Sequence, residues 1–248
     1  MRQGKFDSAE QFYRRSLAIR EKSPEHSDLL ATAHQDLGCL FADQKKLPEA
    51  QLHYERALEI SEQTRGKNHP ALAPILHHFG IVHRWQAKIN EADNFATAES
   101  YFKRALSIRE ESFGKTQLEV ATSLTALAYL NLSHRKLNES LELFKRALAI
   151  QEKELGKTHL TTAFTLESMV RIYLQKLKAS DALPPLERLL AIQEAELGKS
   201  HQDIASTLLY LASSYLQLHK LKSVCDFLTR AIRIRDETLG KDHQDSAM

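Results

Sequence analysis

Three tripeptides carry the residue types that end a phosphate-binding loop: Gly114-Lys115-Thr116, Gly156-Lys157-Thr158 and Gly198-Lys199-Ser200. Such a loop cradles phosphate with backbone amides and needs a further glycine five residues before the Gly-Lys, just after a strand. Those positions hold Arg109, Gln151 and Gln193, inside helical sequence. The tripeptides therefore read as helix ends and caps. The twelve histidines raise the question of a metal site. His69, His159, His201 and His243 recur at one point of a repeat, with His26 in register, so they lie too far apart to share an ion. His77, His78 and His83 lack the i, i+4 spacing with which a helix presents two imidazoles to zinc. No Cys/His or Ser/His/Asp set falls within one local site. We expect no catalytic residue, no metal, no cofactor and no enzymatic activity.

The elements that hold these residues follow from a repeat. Arg56-Ala57-Leu58-Glu59-Ile60 recurs as Arg104-Ala105-Leu106-Ser107-Ile108 and Arg146-Ala147-Leu148-Ala149-Ile150, with variants ending at Ile19, Ile192 and Ile234. A Gly-Lys marker follows at Gly66, Gly114, Gly156, Gly198 and Gly240, so the period is about 42 residues. The chain has 248 residues with 8 glycines and 6 prolines, leaving little turn sequence. Apolar residues fall at helical spacing, as in Leu124, Leu127, Ala128 and Leu132, then Leu141, Phe144, Ala147 and Leu148. Each repeat is predicted to be two antiparallel helices that bury their faces on neighbouring repeats. The recurring glycines should end helices in the left-handed conformation, Gly4 should begin a turn, and Gly38 and Gly80 should sit at close helix approaches. The residues after Gly-Lys, Asn68, Thr116, Thr158, Ser200 and Asp242, should be N-caps, with Thr116 and Glu119 forming a capping box.

Charged residues make up 27% of the chain, yet the net charge is only +2. Such balance argues against a nucleic-acid or anionic-membrane partner. No apolar run reaches the roughly 20 residues of a membrane span, and Met1 to Asp7 lacks a signal peptide's apolar core. Cys39 and Cys225 have no metal-ligand spacing and fit a reduced, cytoplasmic protein.

A finer pattern carries a family resemblance. Leu37-Gly38, Phe41, Ala50, Tyr54 and Ala57 reproduce the spacing of small and aromatic residues in tetratricopeptide repeats; Leu127-Ala128, Ser140, Phe144 and Ala147 nearly do. With eight residues beyond the usual 34 and the Gly-Lys-x-His turn, the chain resembles the 42-residue repeats of kinesin light chains and nephrocystin-3-like proteins. That resemblance implies an all-α, right-handed superhelical solenoid of about 11 helices. It implies one array: an orphan second helix over 1–22, helix pairs over 23–65, 66–113, 114–155, 156–197 and 198–239, and a truncated start at 240–248. First helices would line a concave groove. Kinesin light chains usually carry Asn-Asn there to grip cargo backbone; the matching pairs here are Gln35-Asp36, His77-His78, Thr125-Ala126, Glu167-Ser168 and Leu209-Tyr210. The Lys and Asn of chaperone-binding relatives are also missing.

The candidate groove residues are His77, His78, Arg84, Trp85, Tyr129, Phe164, Arg171 and Tyr210. They suit an extended peptide with an aromatic anchor and acidic neighbours. The expected function is a protein-binding scaffold or adaptor, cargo-adaptor-like by resemblance. The alternative is an architectural or regulatory array that associates through its ends or convex face, with self-association through the exposed ends. Three irregularities are expected. Phe6, Phe12 and Leu17 should lack their usual partner. About six extra residues near Glu91 to Ser100, where Ala92 and Ala98 compete as the small residue, should shift the helix phase. Pro184-Pro185 should delay or kink a second helix.

Overall fold

The computed structural model describes residues 2–22, 27–87 and 91–239, with side chains described over 6–22, 27–87 and 94–238. His26, the side chain of Ala92, and the Gly240-Lys241-Asp242-His243 marker lie outside the described residues. Among the described residues the protein is all-α, with eleven helices. They are α1 (Arg2–Arg20), α2 (Ser27–Asp43), α3 (Leu47–Arg65), α4 (Leu72–Gln86), α5 (Glu91–Phe113), α6 (Leu118–Ser133), α7 (Leu137–Leu155), α8 (Leu160–Gln175), α9 (Ala179–Leu197), α10 (Gln202–Gln217) and α11 (Leu221–Leu239). They form two compact units, Met1–Leu130 and Asn131–Met248.

In the first unit α2 packs on α3 and α4 on α5, with α1 against α2 and α3 against α4. Small residues let the helix axes approach and aromatics fill the angle between them. A methyl group on Gly38 would lie 2.9 Å from the Tyr54 ring, and one on Gly80 would lie 2.7 Å from the Phe102 ring. Tyr54 and Phe102 are fully buried. In the second unit α8 packs on α9 and α10 on α11, with α7 against α8 and α9 against α10. Ala182, Leu186, Ile204, Leu208 and Ala231 centre its main core cluster.

Polar ladders repeat with the period. Arg104 donates to the Lys67 carbonyl at 2.6 Å and pairs with Glu62 at 2.5 Å. Arg188 makes the same contacts with Lys157 and Glu152. Arg230 makes them with Lys199 and Glu194. A buried rung lies beside them: the Thr165 hydroxyl donates to Gln151 at 2.7 Å, and Thr207 to Gln193 at 2.6 Å.

Several local expectations need correction. Gly4 falls inside α1 rather than in a turn. Phe6 and Leu17 are not left without partners, because α1 lays them on the first core cluster; Phe12 alone of the three is exposed, at 72%. The Pro-Pro helix does not start late. α9 begins at Ala179 and runs 19 residues, as long as α7. Pro184 and Pro185 lie inside it, in its second turn, where each removes the amide that would bond the carbonyl four residues back, at Ser180 and Asp181. The extra residues near position 91 need no bulge among the described residues. α5 is 23 residues long against 19 for α3. Ala98, fully buried, takes the small-residue place ahead of Phe102, so the insertion lies before the packing segment.

Both kinds of turn hold strained backbone. Gly66, Gly156 and Gly198 have φ of 81° to 92° and ψ of 157° to 162°. That region is open essentially to glycine alone and is not the left-handed helical region that we expected. Within a hairpin the turn residues Lys45, Arg135, Leu177 and His219 have φ of 54° to 62°. In each turn the amide of the next residue reaches back five residues, as Lys178 does to the Tyr173 carbonyl at 2.9 Å. The Leu177 amide also bonds the Leu174 carbonyl. This is the Schellman pattern, built on residues other than its preferred glycine. Leu177 is 79% exposed, so its side chain returns little packing. Leu177→Gly is therefore expected to stabilise the chain by about 0.5–1 kcal/mol, once glycine's extra chain entropy is set against the relieved left-handed backbone. A urea titration checks this, and a lowered midpoint would contradict it.

Candidate functional site

Two of the recurring turn histidines, His159 and His201, cap helices. His159 holds extended backbone and accepts the Thr161 amide on Nδ1 at 3.1 Å. His201 does the same for Asp203 at 3.3 Å, whereas His69 Nδ1 accepts the Ala71 amide at 3.2 Å in the turn before α4, whose N-cap is Ala71. A neutral imidazole with its proton on Nε2 imitates the side-chain oxygen of Asn or Asp here. The cap thus falls on the histidine, one residue later than the expected Thr158 and Ser200. Likewise α6 begins at Leu118, placing Gln117 rather than Thr116 at its N-cap; the Gln117 carbonyl accepts the Val120 amide at 3.0 Å. Among the described residues no three His, Cys, Asp or Glu side chains are grouped to hold a metal ion.

Within the first unit, α4 presents His77, His78, Arg84 and Trp85, while α6 presents Thr125 and Tyr129; all six are half-buried. The His77 ring meets His78 edge-on at 5.4 Å and tilts against Phe102 at 5.7 Å. His78 stacks over Tyr54 at 6.3 Å. Burial, then the charge of Arg109, then those of His78 and Arg84, pushes His77 down to about 3. His78 is lowered by burial and by Arg109, opposed by Asp43. Both rings are therefore neutral at pH 7. Burial also lowers Arg84, which feels Tyr129. Trp85 serves core and surface together: it packs on the first core cluster, and the Lys45 ammonium sits 3.5 Å from its ring centroid. That is a cation–π contact.

Arg109 is the member that the sequence reading missed. It entered only as a residue that breaks the phosphate-loop pattern. Yet Arg109 and Ser123 stand 42 residues before Gln151 and Thr165, which stand 42 before Gln193 and Thr207. A cation thus replaces a neutral amide at a buried rung. Arg109 is 7% exposed and donates to the Ser123 hydroxyl at 2.6 Å. Comparing repeats position by position would have found it.

In the second unit, α8 presents Phe164 and Arg171 and α10 presents Tyr210. Phe164 is 61% exposed, although its neighbours Ala163 and Thr165 are buried. It borders a recess of about 80 Å³ lined by Leu160, Ala163, Leu189 and Leu197 together with Glu167, Gln193 and Asp203. Arg171 is exposed, two helical turns from Phe164. Tyr210 is half-buried against the second unit's core.

The profile described as "Tetratricopeptide repeat" matches residues 1–63, 40–95, 89–153 and 134–195, and a second profile of that description matches 204–245. This chain belongs to the tetratricopeptide repeat family. The helix hairpins with glycine set against an aromatic ring are that repeat's packing unit, and the 42-residue period is its longer form. Among solved structures, BtubC (BKLC) from P. vanneervenii is similar over 96% of this chain and 92% of its own, with TM-score 0.79 and 20% identity. A putative kinesin light chain from Podospora anserina aligns over 86% of this chain and 98% of its own, with TM-score 0.71 and 20% identity. YrrB, described as a TPR protein with an unusual peptide-binding site, aligns over 90% of this chain and 94% of its own, with TM-score 0.58 and 15% identity. At such identities the likeness concerns fold. No curated protein sequence matches the chain. Among the described residues no helix is long and apolar enough to cross a membrane.

Proposed function

We propose that this tetratricopeptide repeat protein is a cytoplasmic interaction scaffold that binds an extended peptide segment of a partner along its first-helix faces. The segment carries an aromatic anchor and acidic neighbours. One observation carries the reading: Phe164, 61% exposed, borders a recess whose apolar lining is Leu160, Ala163, Leu189 and Leu197 and whose polar lining is Glu167, Gln193 and Asp203. A large apolar ring held out of a core beside a recess with an apolar part and a polar rim is the form of a binding hot spot. Arg171 on the same helix supplies charge for acidic flanking residues. The likeness to YrrB and to kinesin-light-chain arrays supports a peptide-binding, adaptor-like role as an analogy of fold.

An architectural role draws on α11. Leu221, Leu228 and Ile232 are 62%, 37% and 44% exposed, and their spacing puts them on one helix face. Peptide binding is preferred because Phe164 has a recess beside it.

The test is a displayed library of unstructured dodecapeptides panned against the purified chain. Aromatic–acidic sequences should be enriched, and Phe164→Ala with Arg171→Glu should weaken the best of them at least tenfold while leaving helicity unchanged. A best binder whose affinity survives both substitutions would remove the second unit's face from the function.

A further inference from the structure

The first unit's face has an electrostatic imbalance that packing does not account for. Arg84 Nε, His77 Nδ1 and the Thr125 hydroxyl are buried and make no hydrogen bond within the protein. A buried polar atom without a partner costs about 1–3 kcal/mol, and more when it belongs to a charged group. Among the described residues neither Arg84 nor Arg109 has a carboxylate in ion-pair reach. Glu119 acts on Arg109 only through space, as Asp43 does on His78. Other repeats show how the fold fills such a position neutrally, with Gln151 on Thr165 and Gln193 on Thr207. This repeat instead places a cation there, and the fields of Arg109 and Arg84 meet on His77.

Arg84, its buried Nε unpaired, and Arg109, bonded to the neutral Ser123 hydroxyl, both lack an anion, and the His77 nitrogen and Thr125 hydroxyl are unpaired as well. We propose that the α4–α6 face binds a carboxylate beside His77, held by Arg84 and Arg109 and bonded by His77 Nδ1–H and the Thr125 hydroxyl. Its source is an acidic side chain of the bound peptide. Arginine's planar fork suits two carboxylate oxygens at once, and charge-assisted bonds are shorter and stronger than neutral ones. Tyr129, one turn beyond Thr125 and within the field of Arg84, flanks the subsite. The inference rests on the peptide-binding reading for its biological ligand. Its test does not need that ligand.

Glutarate, which carries the carboxylate of a glutamate side chain, is the probe, with inorganic phosphate and chloride at equal ionic strength as comparisons. Imidazole NMR signals report occupancy. Glutarate should shift the His77 ring signals saturably and raise the pH at which that ring protonates. His34 and His53, paired Nδ1 to Nδ1 at 3.0 Å elsewhere in the unit, should not respond. Chloride should produce no saturation, and phosphate should bind more weakly than glutarate. Arg84→Gln should weaken glutarate at least tenfold. The double substitution Arg109→Gln with Ser123→Thr rebuilds the neutral rung of the other repeats, so it should fold at least as stably and also lose the probe. Because each guanidinium lacks an anion, Arg84→Met should leave the unfolding midpoint unchanged or raise it, which a structural ion pair would not allow. The proposal is overturned if glutarate shifts no His77 signal saturably, or if its affinity survives both the Arg84 and the Arg109 substitutions. It is equally overturned if phosphate binds more tightly. A null result here with Phe164-dependent peptide binding intact removes this subsite and leaves the scaffold reading standing.

Discussion

Phe102→Ala lowers the unfolding free energy by about 3–5 kcal/mol, the cost of emptying a fully buried aromatic site that its neighbours cannot refill. Phe102 has no exposed surface, and its ring lies against the Gly80 backbone and the His77 ring. Gly80→Ala fails from the opposite side. Its methyl would stand 2.7 Å from Phe102 Cε1, so the ring or the helix must move, at about 1–3 kcal/mol. Both substitutions act on one contact, so their effects should not add. Gly80→Ala combined with Phe102→Leu should be less destabilised than the sum of the two single changes. Urea unfolding of the four proteins measures this coupling. Strict additivity would mean that α4 and α5 do not meet at this point.

The second large effect concerns backbone rather than space. Gly156→Ala should cost about 1–3 kcal/mol, because φ of 92° with ψ of 160° lies where a Cβ is strained whatever surrounds it. No atom lies within 4 Å of the added methyl, so no rearrangement of neighbours can relieve the loss. Gly198, with φ of 81° and ψ of 157°, should behave alike. The two turns belong to successive hairpins, and stability in repeat arrays is nearly a sum of local terms. The double variant should therefore lose about the sum of the single losses, in contrast to the Gly80 and Phe102 pair. Thermal and urea midpoints of the three variants check this. A loss below a few tenths of a kcal/mol would show that the turn does not hold this backbone.

The order of helices was open to reading because the features that set it are periodic. A glycine facing an aromatic side chain, an alanine one helical turn on, and a Gly-Lys at each hairpin end recur often enough to fix the register. Local reasoning failed where two neighbouring residues could both serve. Thr158 and His159 can each cap α8, and only the backbone angles at His159 decide between them. The two prolines of α9 were expected to delay or kink a helix, yet α9 starts at Ala179 and runs through both, giving up the two intrahelical bonds that their missing amides would make. The left-handed Leu177 and His219 gave no sign, since glycine is the usual marker of that conformation. The groove residues were partly legible. Spacing along the first helices put His77, Arg84 and Tyr129 on the expected groove side, but it left Phe164 open between core and surface, and its 61% exposure decides that. Arg109 was not found that way, because it sits on a second helix. Its meaning appears only against the glutamines that replace it 42 and 84 residues later.

Whether partners dock on first-helix faces is settled most directly by amide hydrogen exchange, with the tightest displayed peptide free and bound. Binding should slow exchange at first helices, either α4 and α6 in the first unit or α8 and α10 in the second. Protection confined to α3, α5, α7 and α9, or to α11 alone, would contradict the account and place the partner on another surface.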